Sequence, residues 1–286
     1  MEHVDILIIG AGAAGISAAK GAWEAGCRSV AIVDRKKTMG GVLLQCAHRG
    51  FGQKLTGGEY LEELLRSFPE EITVITDTTV LSVYGNKTAM LSGGRLLSFD
   101  QLILAAGCRE IPVGALPIGG TRPEGVYTAG QMQEMMNLHG VVPEGPAVIL
   151  GSGDLGLIMA KHLYEASVPV AAIIEQKASC GGMARNQQFL PQSGIPLICN
   201  STVARVLGYP RLEGVILSDG RAIPCKTLLI AAGLKPDRTL VHTLDGKEWL
   251  QLCGNCSKIY PMVEGVMQDG RQAALRAVSA LAKMRK

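Results

Sequence analysis

Short, unbroken apolar runs punctuate this chain: Ile6–Ile9, Val30–Val33, Leu102–Leu104, Val148–Leu150, Val170–Ile174 and Leu228–Ile230. Runs of three to five apolar residues without polar alternation predict strands buried on both faces, as in a parallel sheet covered by helices. Between them lie stretches of another kind. Thr79 to Phe99 alternates and breaks at Gly85-Asn86 and Gly93-Gly94, and Thr202 to Cys225 alternates and breaks at Gly208-Tyr209-Pro210 and Asp219-Gly220. Each predicts a small antiparallel ribbon. A last short strand, Trp249–Cys253, precedes a helical pattern from about Pro261 to Met284.

The elements recur in register. The first strand leads into Gly10-Ala11-Gly12-Ala13-Ala14-Gly15, then Asp34 and Gly40-Gly41; the later set is Gly151, Gly153, Gly156, Glu175 and Gly181-Gly182, every member displaced by 141 residues (151 − 10, 175 − 34 and so on). In such a loop the first glycine allows the turn out of the strand, the second lets backbone approach a pyrophosphate, and the third lets helix and strand pack closely. The acid about 20 residues on accepts hydrogen bonds from a ribose hydroxyl. One copy is weak evidence in a chain with 36 glycines, but two complete copies in register imply two dinucleotide sites. The closing strands also match, Leu102-Ile-Leu-Ala-Ala-Gly107 against Leu228-Leu-Ile-Ala-Ala-Gly233.

At 286 residues the chain suits two domains of ordinary size. Turn-forming stretches at Ile111 to Gly125 and Gly233 to Gly246 mark the joins. The final strand and helix cannot form a domain alone, so they are expected to complete the first one, giving residues 1–112 plus 247–286 and an inserted 113–246. The fold class is therefore α/β: two Rossmann-like three-layer nucleotide-binding domains, the second inserted in the first, each with an antiparallel ribbon.

Composition narrows the setting. Hydrophobic residues at 47% and charged residues at 19% describe a globular protein, and a net charge of +3 gives no reason to expect nucleic acid as a partner. No stretch reaches the ~18 apolar residues of a membrane span, and no signal peptide precedes the first strand, so a cytoplasmic location is expected. Eight cysteines without scaffold spacing agree with a reducing compartment.

With both halves in view, the chain resembles the two-dinucleotide-binding-domain flavoproteins, the superfamily of thioredoxin, glutathione and ferredoxin reductases. The resemblance covers nearly the whole length, and includes Ala105-Ala106-Gly107-Cys-Arg-Glu-Ile-Pro112 and a late Cys253-Gly254-Asn255 where these proteins usually carry Gly-Asp. It implies FAD in the first half, at Gly10, Gly12, Ala14, Gly15, Asp34, Arg35, Gly41, Val42, Gln45, Val80, Ala106, Gly107, Gly254 and Asn255. It implies a nicotinamide cofactor in the second, at Gly151, Gly153, Asp154, Gly156, Glu175 and Gly233. Glu175 favours NADH over NADPH, because a carboxylate would repel a 2′-phosphate where NADP sites usually present arginine.

A narrower resemblance lies in Gly40-Gly41-Val42-Leu-Leu-Gln45-Cys46-Ala-His48-Arg-Gly50-Phe51-Gly52. It is similar to the signature of FAD/NAD oxidoreductases found beside glycerol-3-phosphate dehydrogenases, related in layout to α subunits of heteromeric proline and opine dehydrogenases. This implies an electron-transfer subunit whose partners are a dehydrogenase subunit, together with a small cysteine-rich electron carrier; homo-oligomers are also compatible.

Three readings of the chemistry stay open. Hydride transfer between nicotinamide and flavin needs no protein acid. Alternatively Cys46, with His48 beside it in sequence, is a redox thiol of a self-sufficient NADH oxidase, peroxidase or disulfide reductase; the plainer reading is a small buried hydrophobe near the flavin. A third possibility is a non-catalytic redox-sensing or scaffold protein. Cys253-Gly-Asn-Cys256 has the spacing of half a metal site or of a redox pair, but no second pair with metal-ligand spacing exists and no metal is expected. His3, His139, His162 and His242 show no ligand spacing, and Trp23 and Trp249 are expected in the core.

Overall fold

The computed structural model describes residues 2–52 and 54–285. The chain divides into two compact units, Met1–Arg109 with Lys235–Lys286, and Glu110–Leu234. Both are α/β units built on parallel sheets, as the apolar runs predict.

In the first unit the central strand is Glu2–Ile9. Its parallel neighbours are Val30–Val33 on one side and Leu96–Leu104 on the other; Thr73–Ile75 and Leu250–Leu252 extend the sheet beyond them. The strand starts four residues before its apolar run because Glu2 and His3 keep their ladder against Leu97 and Ser98 at the solvated end of the sheet. Helices Ala13–Glu24 and Val263–Met284 cover one face, burying Ile6 and Ile8 against Ala14, Ala18, Ala22, Ala273 and Ala277. Small side chains let these two helices approach closely: a Cβ on Gly270 would lie 2.2 Å from the carbonyl oxygen of Ala14. The opposite face is covered by the ribbon Val80–Tyr84, Thr88–Leu91 and the start of Leu96–Leu104, which pair antiparallel. Its core includes Phe99, whose ring centroid lies 5.5 Å from that of Trp249. Trp23 is only partly buried, with the Arg28 guanidinium 4.3 Å from its ring centroid.

The second unit repeats the plan. Its sheet runs Leu197–Ile198, Val170–Ile174, Ala147–Leu150, Thr227–Ile230, Val126–Thr128, all parallel. Helices Ala129–His139 and Asp154–Glu165 pack on one face. The ribbon Val203–Leu207, Gly214–Leu217 and Ala222–Pro224 covers the other.

The divisions fall at Arg109/Glu110 and Leu234/Lys235 rather than near 112 and 246. The reason is packing, which turn-forming residues do not reveal. Val241 and Leu244 are buried in the same core as Trp249, and Arg238 donates from Nε to the Cys256 carbonyl at 2.8 Å. Asp237 takes a bidentate pair from Arg109, at 2.6 and 2.8 Å. On the far side, Glu110 belongs to the second unit, where its carboxylate accepts the Gly130 amide at 2.8 Å and so caps Ala129–His139. Among the described residues no helix is long and apolar enough to cross a membrane.

Candidate functional site: two glycine loops

In each unit the first and third glycines are required by the protein itself. Gly10 has φ +103°, and a Cβ there would lie 2.4 Å from the Ala105 carbonyl oxygen; one on Gly15 would lie 1.8 Å from that of Gly10. Gly151, at φ +107°, and Gly156 repeat this at 2.3 Å from Ala231 and 2.1 Å from Gly151. The middle glycines differ. A Cβ on Gly12 would meet nothing nearer than the Gly41 Cα at 4.0 Å, and one on Gly153 would meet nothing within 4 Å. No protein neighbour excludes a side chain at either place, so the cradle fits a group from outside the chain, as a pyrophosphate requires.

The helices that follow support the same fit. Gly12 and Gly153 open Ala13–Glu24 and Asp154–Glu165 in extended backbone with no side-chain cap. By contrast, Gly57–Arg66 and Ala129–His139 each begin with a complete capping box, built by Thr56 with Glu59 and by Thr128 with Gln131. The first amides of a helix need acceptors, and neither glycine-loop helix supplies one from a side chain at its N-cap, which leaves room for a ligand in that role.

Other first-unit residues gather at the same helix end. Gly40 N–H donates to the Ala11 carbonyl at 2.8 Å, and Gly41 (φ +55°) sits so close that its Cβ would be 3.1 Å from the Gly12 Cα. This brings the turn Gly41–Gln45, with exposed Val42, to the loop. Gly254 (φ +64°) packs on Ala14, where a Cβ would come within 2.6 Å of the Ala14 Cβ. Its amide donates to Asp269 Oδ2 at 2.9 Å, and Asn255 Oδ1 accepts the Tyr260 amide at 3.0 Å. Ala106 and Gly107 follow the strand Leu96–Leu104, Arg35 is exposed beside Asp34, and Val80 opens the ribbon. Asp34 accepts Ala11 N–H at 2.6 Å and Lys36 N–H at 2.8 Å.

In the second unit Glu175 is buried, and accepts the Ser152 amide at 2.9 Å, the Ser152 hydroxyl at 2.5 Å and the Lys177 amide at 2.9 Å. Burial opposes its ionisation, but these hydrogen bonds outweigh it and hold the carboxyl below its ordinary range. A depressed folded-state value stabilises above the unfolded value and loses that contribution as pH falls through the folded one. The stability gap between wild type and Glu175→Gln is therefore expected to stay constant above about pH 5 and to shrink below it, as thermal melts between about pH 7 and 3 would show. Asp154 Oδ1 accepts Met183 N–H at 2.8 Å and Asn186 Nδ2 at 2.6 Å, which shapes the neighbouring loop. Gly233 (φ +117°) lies beyond the end of the strand Thr227–Ile230, its carbonyl accepting Ile111 N–H at 3.1 Å.

The thiols are enclosed. Cys46 donates to the Val42 carbonyl at 3.2 Å, and burial pushes it up to about 12, so it is protonated at neutral pH. His48 lies 5.3 Å, centroid to centroid, from Phe51. Cys253 and Cys256 are fully buried, and the Cys256 thiol donates to the Leu104 carbonyl at 2.9 Å. Burial raises both above the ordinary thiol value. Sequence patterns did not reveal Ser152, which the repeat aligns with Ala11, nor Asp269, which has no motif around it.

Residues 4–251 match the pyridine nucleotide-disulphide oxidoreductase family. The chain belongs to that family. One subunit of opine oxidase from Agrobacterium tumefaciens is 29% identical over 276 residues, 84% of this chain and 54% of that protein. Hydrogen cyanide synthase subunit HcnB of Pseudomonas protegens is 31% identical over 225 residues, 75% of this chain and 46% of that protein. The family member thus spans about half the length of these curated relatives. Thioredoxin reductase of T. acidophilum shares the fold, with a TM-score of 0.79 at 20% identity, covering 98% of this chain and 99% of that one.

Proposed function

We propose that this oxidoreductase exchanges a hydride between NAD(H) and bound FAD, and works as the electron-transfer subunit of a heteromeric dehydrogenase. The observation that carries the reading is the pair of loops whose middle glycines, Gly12 and Gly153, face open space while their outer glycines are locked by backbone. FAD supplies the hydride-accepting chemistry when bound. The chain's own work is to bind and orient. The uncapped amides after Gly12 and Gly153 would take the two pyrophosphates, Asp34 and Glu175 the two riboses, and Gly41, Val42, Gln45, Ala106, Gly107 and Asn255 the rest of the flavin side.

The buried Glu175 carboxylate supports NADH over NADPH, since a 2′-phosphate there would face a fixed negative charge. Two of the relatives, from opine oxidase and from hydrogen cyanide synthase, are named as subunits of larger enzymes, which supports a dehydrogenase partner, with a small cysteine-rich protein as a further carrier. Eight cysteines with no disulfide among the described residues suit a cytoplasmic setting. The enclosed, protonated state of Cys46 weighs against the thiol-dependent alternative.

Anaerobic titration with NADH is expected to bleach the flavin absorbance at one equivalent, with NADPH much less effective. Cys46→Ser is expected to retain both flavin reduction and turnover with an artificial acceptor within about twofold, because a small buried thiol contributes packing rather than chemistry. A flavin that NADH leaves oxidised would overturn the reading; loss of turnover with reduction intact in Cys46→Ser would revive the thiol.

A further inference from the structure

The repeat makes a residue-by-residue contrast between the two loops possible. Ala11, Asp34 and Gly40 stand where Ser152, Glu175 and Gly181 stand 141 residues later. In the first unit these three residues are joined without any side chain from position 11: Ala11 N–H donates to Asp34 and Gly40 N–H to the Ala11 carbonyl, at 2.6 and 2.8 Å. In the second unit a side chain intervenes. Gly181 N–H donates to Ser152 Oγ at 2.9 Å, and Ser152 Oγ lies 2.5 Å from Glu175 Oε2.

The direction of this chain of hydrogen bonds follows from its ends. A backbone amide can only donate, so the Ser152 oxygen accepts from Gly181 and its proton points to the carboxylate. Each bond polarises the next, in a place where Ser152 is completely buried. Oε2 of Glu175 thereby receives two donors, the Ser152 amide and hydroxyl, while Oε1 receives the Lys177 amide. A carboxylate has roughly four acceptor positions, so about one remains, on Oε1. Glutamate is also one methylene longer than aspartate and has more rotamer freedom to lose than its counterpart Asp34.

We infer that Ser152 is a positioning residue for the nicotinamide cofactor: its hydroxyl fixes the Glu175 carboxylate so that the remaining acceptor position of Oε1 meets an unesterified ribose diol. The inference rests on the reading of the second loop as an NADH site and names what sets its selectivity. A diol hydroxyl can donate to that oxygen, whereas a 2′-phosphate cannot and is repelled. Without the Ser152 hydroxyl, Glu175 keeps its charge and its two amide donors but loses the side-chain constraint.

The test is steady-state kinetics with NADH and NADPH, and an artificial acceptor, on flavin-loaded wild type, Ser152→Ala, Glu175→Ala and the double variant. Ser152→Ala is expected to raise the KM for NADH about tenfold, the scale of a lost hydrogen bond to a charged group, with kcat within about twofold. Its KM for NADPH should change little, and in the Glu175→Ala background the same substitution should have no further effect. Flavin content and Tm, recorded alongside, separate this KM-only change from misfolding. If Glu175→Ala raises the KM for NADH while Ser152→Ala does not, or if the two effects are simply additive, the role of Ser152 is overturned and the NADH site stands. If Glu175→Ala itself leaves the KM for NADH unchanged, the assignment of the second loop to NADH fails, and the role of Ser152 with it.

Discussion

Gly15→Ala is expected to give protein that lacks flavin and melts well below wild type. The added methyl group would lie 1.8 Å from the Gly10 carbonyl oxygen and 3.4 Å from the Ala105 side chain. Neither neighbour is the end of a flexible chain, so relief requires moving the strand Glu2–Ile9 or the helix Ala13–Glu24, both buried in the core of the first unit. Overpacking of this kind costs about 3 kcal/mol, on the order of 10 °C in Tm. Gly12→Ala supplies the comparison that separates fold from ligand. Its methyl group would meet no protein atom nearer than 4.0 Å, so the apo protein should melt like wild type and still fail to hold FAD. Absorbance spectra and thermal melts of the two purified variants distinguish these outcomes. An unfolded Gly12→Ala, or a flavin-replete Gly15→Ala, would contradict the division of labour among the three glycines.

Gly270→Val is expected to be the most damaging single change in the C-terminal helix. Position 270 faces Ala14, and a Cβ there would stand 2.2 Å from its carbonyl oxygen and 3.1 Å from its carbonyl carbon. The helices Ala13–Glu24 and Val263–Met284 would have to separate, opening the layer formed by Ala18, Ala22, Ala273, Ala274 and Ala277. A destabilisation of about 3 kcal/mol follows from that overpacking, and flavin loss should accompany it, because Ala14 lies in the first turn of the helix that Gly12 opens, between the second and third glycines of the motif. Leu275→Ala, on the exposed face of the same helix, should change stability by less than about 0.5 kcal/mol. Chemical denaturation followed by circular dichroism would compare them. Equal destabilisation of the two variants would show that helix propensity, rather than the Gly270 contact, dominates.

Much of the architecture is legible in the chain because its signals are local. The outer glycines of each loop sit where backbone passes backbone, and of the two ribbon breaks Gly93-Gly94 is left-handed, with φ +78° and +77°, whereas at Gly85-Asn86 the left-handed position is the next residue, Lys87, with φ +61°. The parallel strands are read from apolar runs because both of their faces are covered. What the pattern does not carry is set by residues distant in sequence. Residues 235–246 look like a linker by composition, yet Asp237 meets Arg109 and Val241 meets the Trp249 core. Cys46 and His48 suggest an activated thiol by spacing alone, but Gly57 packs over Cys46, where a Cβ would lie 2.7 Å from that of the cysteine, and burial keeps the thiol protonated. Ser152 is legible only when the two halves are laid on one another, and Asp269 only in three dimensions, since it reaches Gly254 from a helix face with no motif.

The second unit begins at Glu110 and ends at Leu234, and just inside those limits the Ile111 amide donates to the Gly233 carbonyl at 3.1 Å. Its entry and exit are thus one hydrogen bond apart. For a flexible chain, bringing distant ends together costs entropy that grows with the logarithm of the length between them. Once the second unit has folded, that cost has already been met, and the first unit sees the long intervening stretch as a short, closed turn. A guest domain with adjoining ends lets its host fold almost as a continuous chain, which is the topological condition for inserting, exchanging or losing such a module without rebuilding the first unit.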